Sequence, residues 1–151
     1  MRGKPTWMTI FYRQLIWLGL ALLISNTAFA TKYYTRQSGS WTSNTSWSNT
    51  PGGNATQAPS TIGSNDTVYV LHAMTNAVNI TVGGYLFIDS SASITFVTGT
   101  GSSTLAASSG ALIQIEGDVI MHKTGSGNQV WRNILTANGT INIKGTLTMS
   151  G

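Results

Sequence analysis

The chain of 151 residues carries eight basic and four acidic residues, contains no cysteine and has a formal net charge of +4. Without cysteine it has neither a disulfide framework nor a thiol for lipid attachment, so its fold must depend on packing and backbone hydrogen bonds. Three basic residues lie in the first 13 positions, which leaves five basic against four acidic residues afterwards. That balance is too even for the basic surface of a nucleic-acid-binding protein.

The first 30 residues have the order of a secretory signal peptide. Basic residues precede the uninterrupted apolar run 15–24, and Ala28 and Ala30 supply the small residues of a signal-peptidase site. We predict a helical leader over residues 1–30 that is cleaved between Ala30 and Thr31. The run is too short for a bilayer, which takes ~20 apolar residues. We therefore expect the export machinery of the Sec pathway as a partner, a secreted or cell-surface protein, and no stable membrane insertion after cleavage.

Residues 31–65 are predicted to be an irregular N-terminal cap region. The segment is dense in turn-forming residues, and the sequence predicts one short strand in it, at Tyr33–Arg36. Beyond that strand its only aromatic side chains are Trp41 and Trp47. These indoles could bind a ligand by stacking on sugar rings, or they could cover the open apolar end of a following repeat. The second interpretation is favoured, because stacked repeats need a terminal cap.

Residues 66–151 alternate between apolar and polar side chains, which is the period of a half-buried strand. Gly84, Gly117 and Gly145 each have apolar residues two and four positions away on both sides, and this motif recurs after 33 and then 28 residues. A recurring motif of this length is typical of stacked repeats. We therefore predict an all-β solenoid of about three to four coils, and we expect its last coil to be truncated.

The glycine motifs also predict a register between coils. If they stack, Ile80, Ile113 and Ile141 lie over one another in the interior, and each glycine lies at a corner or bend where a side chain would not fit. This stacking is the central structural prediction from the sequence.

The same register places charged residues side by side on the outer surface. Glu116 is predicted beside Lys144, and Asp89 beside His122, because neighbouring parallel strands lie ~4.8 Å apart. Asp89 and His122 could instead act as an acid–base pair, but no nucleophile accompanies them, so a surface ladder pair is favoured. Glu116 and Asp118 provide too few oxygen ligands for calcium. We therefore predict no metal site, no cofactor and no catalytic residue.

Two segments also resemble a known family. Residues 38–48 hold the tryptophan pair, and residues 58–89 hold an Asp-x-Val-x-Val strand, a polar turn with histidine and a Leu-x-Ile strand. This order of elements resembles the N-terminal module of type IX-secreted bacterial surface proteins and is similar to the eight-glycine domain. The resemblance covers about residues 33–96 and implies a right-handed parallel β-helix of the pectate-lyase type. Family members are much longer and carry a C-terminal sorting domain, so this chain is expected to be an N-terminal fragment.

The sequence leaves three functions open. The favoured one is a non-enzymatic, structural or adhesive module of a surface or secreted protein. The second is a polysaccharide-directed protein, either a binding module for a polysaccharide or cell-surface glycan or a lyase-like β-helix without its active coils. The third is an ice-binding solenoid, suggested by Thr-x-Thr pairs such as Thr146 and Thr148, although threonine is also a common residue on any solvated strand.

Overall fold

A computed structural model of the chain describes Gln14 and residues 30–76, 79–98, 103–123 and 133–150. The predicted leader and its helix lie outside these residues, apart from Gln14 and Ala30. In chain order the strands are β1 Lys32–Thr35, β2 Gly39–Ser40, β3 Trp47–Ser48, β4 Thr67–Val70, β5 Ala73–Asn76, β6 Ile80–Val82, β7 Tyr85–Ile88, β8 Ser93–Thr98, β9 Ser103–Ala107, β10 Leu112–Ile115, β11 Asp118–Lys123, β12 Asn133–Ala137, β13 Thr140–Ile143 and β14 Thr146–Ser150. A 3-10 helix, Asn44–Ser46, lies between β2 and β3.

The protein is all-β with parallel sheets. The described strands form sheet A in the order β13-β10-β7-β4-β1-β3, sheet B in the order β14-β11-β8-β5-β2, and sheet C in the order β12-β9-β6. Strands pair in parallel, except that β3 runs antiparallel to β1. From β4 onward the chain visits sheets A, B and C in turn and then returns to A. We call one such round a pass.

Alternation along each strand separates the interior from the surface. In β7 the side chains of Leu86 and Ile88 are fully buried, whereas Tyr85 and Phe87 are half-buried on the opposite face. Pairing repeats this division from strand to strand, so inward-facing residues meet inward-facing residues and form apolar columns. Three such columns are Val68–Leu86–Ile113–Ile141 and Val70–Ile88–Ile115–Ile143 in sheet A, and Met74–Ile94–Val119–Leu147 in sheet B.

The predicted stacking of Ile80 with the other two isoleucines is wrong. Ile113 pairs with Ile141 as expected, but Ile80 pairs with Leu105 in sheet C. The residue that pairs with Ile113 on the preceding pass is Leu86. Successive members of this sheet A column are therefore 27 and 28 residues apart, instead of 33 and 28.

The physical reason is that glycine motifs mark two kinds of corner. Gly84 joins sheet C to sheet A, whereas Gly117 and Gly145 both join sheet A to sheet B. Close approach explains why these corners hold glycine. A Cβ atom at Gly117 would collide with the carbonyl oxygens of Asp89 and Ala92 from the preceding pass. The predicted role of glycine at corners is thus confirmed, although the motif does not reveal which corner it occupies.

The N-terminal region is more ordered than predicted. It contributes β1 and β3 to sheet A and β2 to sheet B, and its first strand, Lys32–Thr35, agrees with the predicted strand to within a residue. Thr35 is buried, and its hydroxyl accepts a hydrogen bond from the Leu71 amide at 2.8 Å and lies 3.1 Å from Nδ1 of His72. These contacts join the first strand to the end of β4.

Within the described part of the chain, no helix has the length and apolarity that a bilayer crossing requires.

Candidate binding surface

The two tryptophans lie inside the hydrophobic core. Trp47 is 0% and Trp41 3% exposed, and the rings meet edge to face with centroids 4.8 Å apart. Nε1 of Trp47 donates to the Trp41 carbonyl at 2.7 Å, and Nε1 of Trp41 donates to the Pro59 carbonyl at 3.2 Å. A platform for sugar rings requires an exposed aromatic face, which these buried indoles do not provide. Their position suits a cover over the interior.

Partly exposed aromatic side chains lie instead on the outer face of sheet A. Tyr34, Tyr69, Tyr85 and Phe87, which we call the aromatic cluster, are all half-buried. Their inward neighbours along the strands, such as Val68 and Leu86, are fully buried. Tyr34, Tyr69 and Phe87 occupy one column across three successive strands of the sheet.

Tyr69 is the centre of the cluster. Its ring stacks on that of Tyr34 with centroids 4.9 Å apart and an interplanar angle of 7°. Phe87 and Tyr85 meet the ring of Tyr69 edge-on at 6.1 and 6.3 Å, and their own rings lie 6.5 Å apart at an angle of 24°. Contacts of this kind stabilise aromatic pairs by roughly 0.5–1.5 kcal/mol beyond area burial. The ring contacts therefore hold the four half-buried side chains in a fixed relative arrangement.

Polar side chains continue this surface over the next two strands. Gln114 follows Phe87 in the same column, and Asn142 follows Gln114. Nζ of Lys144 lies 3.2 Å from Oε1 of Glu116, with the two side chains 71% and 35% exposed, and Nε2 of Gln114 donates to the same oxygen at 3.5 Å. An exposed pair of this kind contributes about 0–1 kcal/mol to stability.

Burial raises the pKa of Tyr85 above the ordinary value of 10.0, with smaller contributions from Tyr69 and from the negative charge of Glu116. The phenol is therefore protonated at neutral pH. It can donate and accept a hydrogen bond next to an apolar ring face. Together the aromatic cluster, the amides and the ion pair can contact a ligand that is partly apolar and rich in hydroxyl groups.

The predicted pairing of Asp89 with His122 is wrong. Asp89 lies at the corner after β7, where its Oδ1 accepts hydrogen bonds from the amide and hydroxyl of Ser91 at 3.0 and 2.7 Å. His122 lies in sheet B, opposite Val97 on one side and Ser150 on the other. The error follows from the misplaced Gly84 motif, which shifted every outward pair that used this motif by one sheet.

Threonine side chains on the outer face of sheet B form an interrupted column. Thr75, Thr95 and Thr148 share one outward column, but Ile120 lies between the last two. The next column contains Asp118 opposite Ser93 and Thr146. This face is mixed, and over the described strands of sheet B the Thr-x-Thr pairs do not continue into regular threonine rows.

Among the described residues, no group of three or more His, Cys, Asp or Glu side chains could hold a metal ion. Comparisons of the chain with protein-family models, with curated proteins and with solved structures find no match.

Proposed function

We propose that this chain is an exported, non-catalytic β-solenoid module of a bacterial cell-surface or secreted protein, with a structural or adhesive role. The proposed architecture is a right-handed parallel β-helix. The observation that carries the proposal is the register: Leu86, Ile113 and Ile141 lie side by side in sheet A while Ile94, Val119 and Leu147 do so in sheet B. Such layers each contact only their neighbours, so a solenoid grows as a rod.

The outer surface supports a passive role in solvent or at a cell surface. The segment after the leader has nearly equal numbers of positive and negative charges and is rich in Ser, Thr, Gly and Asn. Polar, weakly charged strands keep the faces of the sheets hydrated, while stability comes from the apolar columns inside. A rod with these properties can hold another domain or binding surface away from the cell.

Export is tested by expressing the chain with its leader in a bacterium that has the Sec pathway. We expect a product outside the inner membrane whose mass corresponds to a chain beginning at Thr31. Replacing Ala28 and Ala30 by bulky residues should keep the leader attached, because the peptidase site requires small side chains. An uncleaved cytoplasmic product from the natural sequence would overturn the proposal.

A polysaccharide-binding role is the second candidate, and the aromatic cluster favours it. Aromatic rings can contact the apolar faces of sugars, and Gln114 and Glu116 offer hydrogen-bonding groups beside them. This candidate moves the predicted ligand contacts from Trp41 and Trp47 to the outer face of sheet A.

The two candidates are separated by retention on insoluble polysaccharides. If the aromatic cluster binds glycans, Phe87→Ala should lose most of the retained protein, whereas Thr148→Ala on the outer face of sheet B should keep it. Thermal unfolding of both variants shows whether a loss of retention reflects unfolding. If the natural protein is not retained on any polysaccharide tested, the binding role is wrong and the purely structural role stands.

A further inference from the structure

The outer face of sheet A carries a continuous column of side chains across five strands. We call it the long column, and strand pairing gives its order as Tyr34, Tyr69, Phe87, Gln114 and Asn142. A second column beside it has the order Lys32, Thr67, Tyr85, Leu112 and Thr140. Because neighbouring strands lie ~4.8 Å apart, the long column spans about 19 Å across the strands.

The chemistry of the long column changes along its length. Its first three members are half-buried aromatic residues of the aromatic cluster, whereas Gln114 is half-buried and Asn142 is exposed. A ligand that lies along the column therefore meets ring surface first and amide groups next. To gain from both parts, the ligand needs apolar surface and hydrogen-bonding groups along its whole length.

The face around the long column carries little charge. Lys32 is the only charged residue at an outward position of these five strands, and it lies at the N-terminal corner of the face. Just beyond the strands, Nζ of Lys144 lies 3.2 Å from Oε1 of Glu116, so these two charges offset each other. A ligand with a charge on every unit would lose hydration here without gaining partners of opposite charge. The face therefore favours an uncharged ligand.

The outer faces of the other sheets lack this combination. Over the described strands of sheets B and C, no outward position holds an aromatic residue. The longest outward column of sheet B has the order Ser40, Thr75, Thr95, Ile120 and Thr148. Strand spacing is common to all three sheets, whereas rings followed by amides occur on sheet A. Thr148 thus provides a matched control for Asn142, since both are exposed residues of the last pass.

The regular spacing of the long column favours a ligand with a similar repeat. An equatorially linked pyranose chain is an extended ribbon that advances by nearly one strand spacing per sugar. Each of its sugars has an apolar C–H surface and hydroxyl groups, so successive sugars can meet successive members of the column. An axially linked chain curves and would leave the column after a few sugars.

We propose that sheet A binds an uncharged, equatorially linked polysaccharide that lies along the long column, across the strands, with about one sugar per strand. Three sugars lie over the aromatic cluster, and the next two reach Gln114 and Asn142. This proposal rests on the polysaccharide-binding role described above and adds to it the class of glycan and the direction of the chain.

The test compares two probes by isothermal titration calorimetry with the full chain. Cellohexaose can cover the whole column and should bind at least ~10-fold more tightly than cellotriose, which can cover only the rings. Asn142→Ala removes a hydrogen-bonding group at the far end, so it should weaken cellohexaose about 3-fold and leave cellotriose unchanged. Thr148→Ala, in the same pass but on sheet B, should change neither affinity.

Two further probes test the class of glycan. Maltohexaose has axial linkages, and a mannuronate hexamer has equatorial linkages with a carboxylate on every sugar. Each should bind at least ~10-fold more weakly than cellohexaose.

The outcomes separate this proposal from the role on which it rests. If none of the four sugars binds, the polysaccharide-binding role and this proposal are both wrong. If cellohexaose binds no better than cellotriose, if Asn142→Ala leaves its affinity unchanged, or if maltohexaose or the mannuronate hexamer binds as tightly, the proposal is overturned while the binding role stands.

Discussion

The N-terminal region before β4 and the last pass of the chain cover the apolar interior to different extents. At the N-terminal end, Trp41 and Trp47 are 3% and 0% exposed and belong to one hydrophobic cluster with Ile62. In the last pass, Ile143 and Met149 occupy inward columns and yet are 42% and 56% exposed. The two ends have comparable inward residues, and the difference lies in what covers them.

This comparison shows that strand alternation does not by itself bury a side chain. Ile115 and Ile143 share a column and have equivalent neighbours along their strands, but Ile115 is fully buried and Ile143 is not. Ile115 has a strand on each side, Ile88 on one and Ile143 on the other. Burial therefore requires a layer on both sides. Two indoles and the short antiparallel strand β3 provide the outer layer at the N-terminal end.

The largest effect is expected for the N-terminal cover. Trp47→Ala removes a fully buried indole and should destabilise the protein by about 3–5 kcal/mol, measured by urea unfolding. Asn54→Ala, at an exposed position of the same region, serves as the control and should change stability by less than about 0.5 kcal/mol. A loss for Trp47→Ala no larger than that of the control would mean that the indole does not cover the core.

The matched pair Ile115→Ala and Ile143→Ala tests the comparison within one column. Ile115→Ala should cost about 2–5 kcal/mol because it leaves a cavity between two layers. Ile143→Ala should cost about 1 kcal/mol, since much of this side chain is already in water. Equal losses in urea unfolding would show that the last pass is as well covered in solution as the middle of the molecule.

The cost of substituting a corner glycine should likewise depend on whether a pass lies on both sides of it. Gly117→Ala forces a Cβ against the carbonyls of Asp89 and Ala92, with a further pass on the other side, and overpacking of this kind costs about 1–3 kcal/mol. Gly145→Ala meets the carbonyls of Glu116 and Gly117, but the last pass can move outward to relieve the contact. Thermal unfolding should therefore rank Gly117→Ala as the more damaging change, and the reverse order would contradict the close-packed corner.

The smallest expected effect is on the pH dependence of stability, through Asp89 at the corner after β7. Hydrogen bonds from the Ser91 amide and then from its hydroxyl lower the pKa of Asp89 below its usual value of 3.8. A depressed pKa contributes stability above the unfolded value, and this contribution is lost as pH falls through the folded value. Below about pH 4 the natural protein should thus lose stability more steeply than Asp89→Asn. Parallel pH curves for the two proteins would show that these hydrogen bonds contribute nothing.

Much of the strand pattern followed from local alternation. The inward positions of β10, β11, β13 and β14 agree with the predicted parity, and the register of Ile113 against Ile141 was correct. The predicted register of Ile80 was wrong. A glycine with an apolar strand on each side occurs both at the corner between sheets C and A and at the corner between sheets A and B. Choosing between corners requires the length of each connection in space, which residue spacing does not provide.

The aromatic cluster was harder to predict from the sequence. Tyr34 and Tyr69 are distant in sequence and become neighbours only when β1 pairs with β4. The signal available in advance was their shared outward parity with Phe87. The segment 57–61 is held against Asn44 and Trp41 by hydrogen bonds, and no periodic pattern in that segment encodes its path.

Disulfide cross-linking tests the central claim about register most directly, because the chain contains no cysteine of its own. Neighbouring parallel strands bring Cα atoms to ~4.8 Å, within the range of about 4.4–6.8 Å that a disulfide requires. The pairs Gln114→Cys with Asn142→Cys and Thr81→Cys with Ala106→Cys should therefore form intramolecular cross-links on mild oxidation, detected by mass spectrometry. Thr81→Cys with Gln114→Cys should not. Efficient cross-linking of that last pair, with none between positions 114 and 142, would contradict the proposed stacking of the passes.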